Sequence, residues 1–162
     1  MDNIIHGFSS NKYEFLSNFY ACRMEFSNDV DPDGRYYPTL EHAYQAAKAT
    51  DVDYMKFVYW ADTPADAKRR GHIIPVRKDW EEIKDDVMLK LLRIKFENTE
   101  MRNRLIETAR EGFEGFCEDN WWHDNYWGDC HCPTCANIPG QNKLGKMLAQ
   151  VRSEILAEEK RN

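Results

Sequence analysis

Three polar side chains define the first chemistry this chain can attempt. Glu41, Gln45 and Lys48 stand at i, i+4 and i+7, so on a helix they line one face. A carboxylate, a carboxamide and an ammonium arranged this way form either a solvated stripe or the wall of a polar pocket. In a pocket, the carboxylate can take a proton from water or stabilise a developing positive charge. Cys130-His131-Cys132-Pro133-Thr134-Cys135 offers different chemistry: three thiols within six residues. They read as either three soft ligands for a structural zinc ion or free thiols. A fourth ligand could come from His131, His123 or Cys117. Such a zinc would brace the loop holding Asp129 rather than activate water. A third group is Lys68, Arg69, Arg70, His72, Arg77 and Lys78, with no acid between residues 67 and 78. It is either a solvated patch or an anchor for a diphosphate, which arginine grips bidentately. Between Gly112 and Gly140 lie Phe113, Phe116, Trp121, Trp122, His123, Tyr126 and Trp127, interleaved with Glu118, Asp119, Asp124 and Asp129. Aromatic faces beside carboxylates suit a flat base and a sugar; the alternative is a second hydrophobic cluster under a long loop.

The elements that position these residues carry local signals. Pro38 and Thr39 start a helix through residue 49, with Thr39 as its cap. Asp51 caps a second helix over about 52–61. Thr63-Pro64 opens a third, stopped by Gly71. Asp79 and Glu82 have capping-box spacing at the start of a long helix, whose apolar stripe is Trp80, Ile83, Val87, Leu91 and Ile94, widened by Met88 and Leu92. Trp80, at the first turn, belongs either to the core or to a pocket. Another helix spans 99 or 100 to 109. Leu144, Met147, Leu148, Val151 and Ile155 mark a last one to about 158, followed by a fraying tail. Residues 4–8 and 22–27 read as short strands, the second forming a hairpin with about 35–37 around Asp31-Pro32-Asp33-Gly34. An aromatic loop from Asn11 to Tyr20 separates the first two. The expected fold is α+β, a mostly helical single domain over 1–162 with a small β-sheet.

Composition narrows the function. The 162 residues are 42% hydrophobic and 31% charged, enough for a sizeable core. The net charge of −6 argues against extended, non-specific DNA binding. No apolar run approaches the ~20 residues that span a bilayer, and the N-terminus lacks a secretory pattern, so a cytoplasmic protein without a membrane partner is expected. There is no P-loop and no Gly-x-Gly-x-x-Gly.

Glu41-His42-Ala43-Tyr44-Gln45-Ala46-Ala47-Lys48 resembles the Glu-His-Tyr-Phe-Gln-type signature of the NADAR (NAD and ADP-ribose associated) or YbiA-like domain family. The resemblance continues in the family's order. It runs through Phe15-Leu16-Ser17-Asn18-Phe19, Thr63-Pro64-Ala65-Asp66-Ala67, Arg77-Lys78-Asp79-Trp80, Lys95-Phe96, Trp127-Gly128-Asp129 and Gly140-Gln141-Asn142-Lys143-Leu144-Gly145. The cysteine insert departs from the glycine-rich link associated with other members.

This resemblance implies hydrolysis of an N-glycosidic bond on a ribose. The implied substrate is ADP-ribosylated guanine in nucleic acid, with phosphorylated riboflavin-pathway intermediates as the alternative. Glu41 is the implied catalytic carboxylate, Asp129 a ribose anchor or partner acid/base, and Trp80 a stacking residue. Asn18, Arg77, Lys95 and Asn142 would position hydroxyls and phosphate. Phe19, Gln45, Lys48, Trp127 and Gly128 complete the expected substrate-binding set. No cofactor is expected for catalysis. A module that binds ADP-ribose or NAD without cleaving it, and a zinc-stabilised interaction protein, are the competing classes.

Overall fold

The computed structural model describes residues 2–9 and 12–162; Asn11, where the expected aromatic loop begins, lies outside the described residues. The contacts cluster in two compact units, residues 18–97 and residues 1–17 with 98–162.

The 18–97 unit begins with an antiparallel hairpin of β2 (Met24–Phe26) and β3 (Arg35–Tyr37), with Met24 opposite Tyr37 and Phe26 opposite Arg35. Asn28 Oδ1 accepts from the amides of Val30 and Asp31, and the Asp31 carboxylate pairs with Arg35, so the turn is held by its own side chains. Four helices follow: α1 (Leu40–Ala46), α2 (Val52–Tyr59), α3 (Pro64–Gly71) and α4 (Trp80–Lys95). The caps read from sequence form on the first three. Thr39, Asp51 and Thr63 accept from the amides of His42, Tyr54 and Asp66.

Two local expectations fail here. Asp79 makes no side-chain cap, because Arg77 holds its carboxylate at 2.6 Å. Helix α1 ends at Ala46, before Lys48: Ala49 bridges Val76, and the Arg77 amide donates to the Lys48 carbonyl, drawing the chain out of the helix. The buried line of α4 is also rotated from the expected stripe. It runs through Trp80, Met88, Leu91, Leu92 and Lys95, while Ile83, Val87 and Ile94 are half-buried.

The other unit contains β1 (Ile4–His6), α5 (Thr99–Arg110), β4 (Gly115–Cys117), β5 (Asp119–Asn120), β6 (Asp129–Cys130) and α6 (Lys143–Arg161). β1 pairs with β4 in parallel, and β5 with β6 in parallel. The expected small sheet is therefore three separate two-stranded pairs among the described residues, the hairpin included. Asn98 caps α5, and α5 packs on α6. The tail expected to fray stays helical to Arg161 because Arg102 pairs with Glu159 at 2.8 Å and with Glu158. Inside this unit, buried Arg152 donates to Thr108 Oγ1 and lies over the Phe116 ring. The secondary structure is α+β and mostly helical.

Candidate active site

Every residue of α1 is buried, which overturns the solvated stripe for Glu41 and Gln45. Glu41 is 7% exposed. Its amide donates to the Asn18 carbonyl at 3.1 Å, and its Oε1 accepts from Gln45 Nε2 at 2.7 Å. The i, i+4 spacing thus fixes the carboxylate from its own helix. Gln45 packs against Gly71: a Cβ there would lie 2.1 Å from Gln45 Oε1, so only glycine admits the carboxamide. Gln45 Oε1 and Asn18 Oδ1 are buried acceptors without a hydrogen-bond partner among the described residues, a costly arrangement unless something else supplies the donor. Asn18 Nδ2 approaches Met88 Sδ at 3.7 Å.

His42 steadies α1. Its Nε2 lies 2.9 Å from the Ala61 carbonyl and therefore carries the proton; its Nδ1 then accepts from Thr39 Oγ1 at 2.8 Å. Trp80 is 5% exposed and tilts against Tyr44 of α1, with ring centroids 5.2 Å apart. Both features fit the core reading of Trp80. Phe19, by contrast, presents an exposed ring.

Although outside α1, Lys48 remains within the electrostatic reach of Glu41. Burial pushes its ammonium below the usual lysine range, Glu41 opposes that, and Lys68 and Lys84 reinforce it. His72 is held low first by burial, then by Lys48 and Lys68. Lys48, Lys68 and His72 therefore act on one another, while the Glu41 and Glu81 carboxylates oppose the downward push on Lys48. The guanidinium groups of the basic segment are committed within the unit. Arg69 and Arg70 pair with Asp66, and Arg70 also donates to the Phe57 carbonyl. Arg77 forks between Asp29 and Asp79, whose hydrogen bonds push it above the ordinary arginine range. Arg77 is thereby held in a carboxylate clamp. Lys95 is fully enclosed, with its ammonium over the Phe96 ring. Fifteen residues along α4 set it about 22 Å from Trp80. The structure does not bring these two together.

Trp127, Gly128, Asp129 and Asn142 belong to the other unit. Residues the sequence reading gave no role organise them. Asn120, fully buried, donates to the Asp124 carbonyl through Nδ2 and accepts from the amides of Trp122 and Asp124. Asp124 Oδ1 accepts from the amides of Tyr126 and Trp127. A Cβ on Gly128 would lie 2.2 Å from the Glu118 carbonyl oxygen, which explains the glycine. Asp129 Oδ1 accepts from the Gly140 amide at 3.2 Å. Asp129 and His131 line a shallow groove of about 640 Å³ that continues to Gly140. Asn142, at φ 48°, spends both ends of its amide on backbone: Oδ1 accepts from the Glu118 amide and Nδ2 donates to the Phe116 carbonyl. It is a clamp at the start of α6.

Asp119 is a further centre that the sequence reading noted only as one acid among several. It contacts His131 at 2.8 Å, His6 at 2.9 Å and the Cys117 thiol at 3.1 Å. Burial pushes its carboxyl up, but the hydrogen bonds of His131 and Cys117 and the charge of His6 outweigh that and hold it low. The side chains of His131 and Cys117 are thereby turned to Asp119, whereas His123 faces the thiols.

The sequence profile of the NADAR domain matches residues 7–156. N-glycosidase YbiA of Shigella boydii is 36% identical over 161 residues, covering 97% of this chain and 91% of that protein. A riboflavin biosynthesis protein of Vibrio vulnificus is 36% identical over 145 residues, covering 87% of this chain and 35% of that protein. The NMR structure of Escherichia coli YbiA superposes with a TM-score of 0.77 at 33% identity, covering 100% of this chain and 90% of that one. An α+β fold shared along its whole length and a profile match spanning nearly every element place this chain in the NADAR domain family.

Proposed function

We propose that this N-glycosidase removes ADP-ribose from ADP-ribosylated guanine in nucleic acid. The observation that carries the reading is the setting of Glu41: buried on α1, oriented by Gln45 and within electrostatic reach of Lys48. Hydrolysis breaks the ribose C1–N bond. The electron pair leaves with guanine, which is reprotonated, and an oxocarbenium-like centre develops on the sugar. Glu41 stabilises that charge and takes the proton of the attacking water, whose oxygen becomes the new sugar hydroxyl. Asn18 Oδ1, a buried acceptor without a hydrogen-bond partner among the described residues, suits a ribose hydroxyl donor. The ammonium groups of Lys48 and Lys68 suit the diphosphate. No cofactor takes part.

The second reading is cleavage of a phosphorylated riboflavin-pathway intermediate. Its support is the similarity to the Vibrio vulnificus protein named for riboflavin biosynthesis. Both readings use the same carboxylate. Incubating the protein separately with a guanine-ADP-ribosylated oligonucleotide and with such an intermediate, then identifying products by mass, separates them. Free ADP-ribose and restored guanine support the first; cleavage of the intermediate alone replaces it with the second.

A further inference from the structure

We infer that His123, Cys130, Cys132 and Cys135 form a tetrahedral metal centre for Zn²⁺ that fixes the segment carrying Trp127, Gly128 and Asp129. The donor atoms of the four residues lie within 4.8 Å of one another. His123 Nδ1 is 3.3 Å from Cys132 Sγ and 3.4 Å from Cys135 Sγ. Bonds of about 2.0 Å to nitrogen and 2.3 Å to sulfur put neighbouring donors of a tetrahedron about 3.6 Å apart. A small contraction or expansion of the four-donor cluster therefore seats the ion. The three cysteines are buried, at 3%, 8% and 5% exposure, and form a cluster of their own. Cys130, Cys132 and Cys135 all remain free thiols. Three soft thiolates and one imidazole favour zinc over hard cations.

The surrounding hydrogen bonds belong to a ligand cradle. The His123 amide donates to Cys130 Sγ at 3.3 Å, and the Cys130 amide donates to Asn125 Oδ1 at 2.9 Å. His123 adopts φ 70°, a region that costs a non-glycine residue free energy and persists only where the surroundings impose it. That backbone turns the imidazole onto the thiols. His131, the nearer candidate in sequence, is hydrogen-bonded to Asp119 instead.

Four protein ligands leave no open position, so the centre is structural and activates no water. Its ligands bracket the residues that matter. His123 precedes the Trp127-Gly128-Asp129 segment, Cys130 follows it directly in β6, and Cys132 and Cys135 lie on the next turn. Metal binding displaces the thiol protons and ties the two ends of that segment together. The inference stands on this donor geometry and does not need the proposed substrate to be right.

The test is metal content and Co²⁺ replacement in the full chain, purified without chelator. One equivalent of zinc is expected. Co²⁺ should give the intense visible bands of a tetrahedral site with a thiolate charge-transfer band, weakened in Cys132→Ser. His123→Ala should bind metal at least about tenfold more weakly, because even outer-shell partners of a metal ligand are worth that much. His123→Cys should restore tight tetrahedral binding, which separates ligand loss from misfolding. Removing the ion should lower amide-exchange protection over residues 120–140 while leaving α1 to α4 unchanged. A protein that carries no zinc and gives only the pale spectrum of six-coordinate Co²⁺ overturns the inference, as does a disulfide between two of these thiols in the native protein. Turnover is not a readout here, so an inactive protein that holds zinc this way would defeat the proposed reaction and leave the metal centre standing.

Discussion

The two units solve the same problem, holding a polar group still, by different means. In residues 18–97 the work is done by regular structure. Glu41 is oriented from the next turn of its own helix, and three helices start on side-chain caps. In residues 112–142 there is almost no regular structure to lean on. Asn120, Asp124 and Asn142 bond backbone groups, two non-glycine residues take positive φ, and the side chains of His123, Cys130, Cys132 and Cys135 converge. Helical order tolerates a local change because neighbouring turns persist. A loop held by a few side chains loses its shape when one is removed.

That contrast can be broken at two glycines. Gly128→Ala puts a Cβ against the backbone oxygen of Glu118, which cannot move without opening the β5–β6 pair. We expect a loss of about 3 kcal/mol in urea unfolding. Gly71→Ala meets the Gln45 side chain instead, with Oε1 at 2.1 Å and Cβ at 2.9 Å, so the carboxamide must swing away and α1 must shift slightly from α3. The expected loss is nearer 1–2 kcal/mol, with a disproportionate fall in kcat as Gln45 releases Glu41. Equal losses in both, with turnover intact in Gly71→Ala, would remove the distinction.

Lys95 sharpens the comparison within the helical unit. Its enclosure pushes the ammonium down to about 7 from 10.5. Between those values the unfolded chain binds one more proton than the folded one. Stability should therefore rise with pH across this window, by at most about 1.4 kcal/mol per unit. The penalty is fully present below about 7 and fades as pH approaches the ordinary lysine range. Lys95→Met should flatten the slope and stabilise the protein at pH below 7; an unchanged slope in that variant would assign it to other groups. The smallest expected effect is Thr63→Ala, which removes the cap of α3 and should cost about 1 kcal/mol. A change under about 0.3 kcal/mol would mean Pro64 alone sets that helix start.

What could be read in the sequence divides along the same line. Caps at Thr39, Asp51 and Thr63 are local, so three residues of context were enough. Asp79 looked like a cap because its real partner, Arg77, is itself set by Asp29, 48 residues earlier in the chain. Lys48 reads as helical in the sequence because the bridge from Ala49 to Val76 leaves no periodic trace. Strands of two or three residues at 115–117, 119–120 and 129–130 are too short to show alternation. The three thiols were plain from spacing. The choice of His123 over His131 was not, since it depends on Asp119 and on a left-handed backbone. Among the site residues, the sequence placed Glu41 and Gln45 on one face, but not the enclosure of Lys95 or the structural use of Asn142. No helix among the described residues is long and apolar enough to cross a membrane.

The most direct test of the central claim is to compare turnover and binding in Glu41→Gln. The glutamine keeps the shape and a hydrogen-bonding oxygen for Gln45, but not the charge or the basicity. With a guanine-ADP-ribosylated oligonucleotide under single-turnover conditions, we predict a rate about 10²- to 10⁴-fold below wild type, with substrate Kd within a few-fold. A Glu41→Gln protein that releases ADP-ribose at the wild-type rate would contradict the assignment of Glu41 as the carboxylate that carries the reaction.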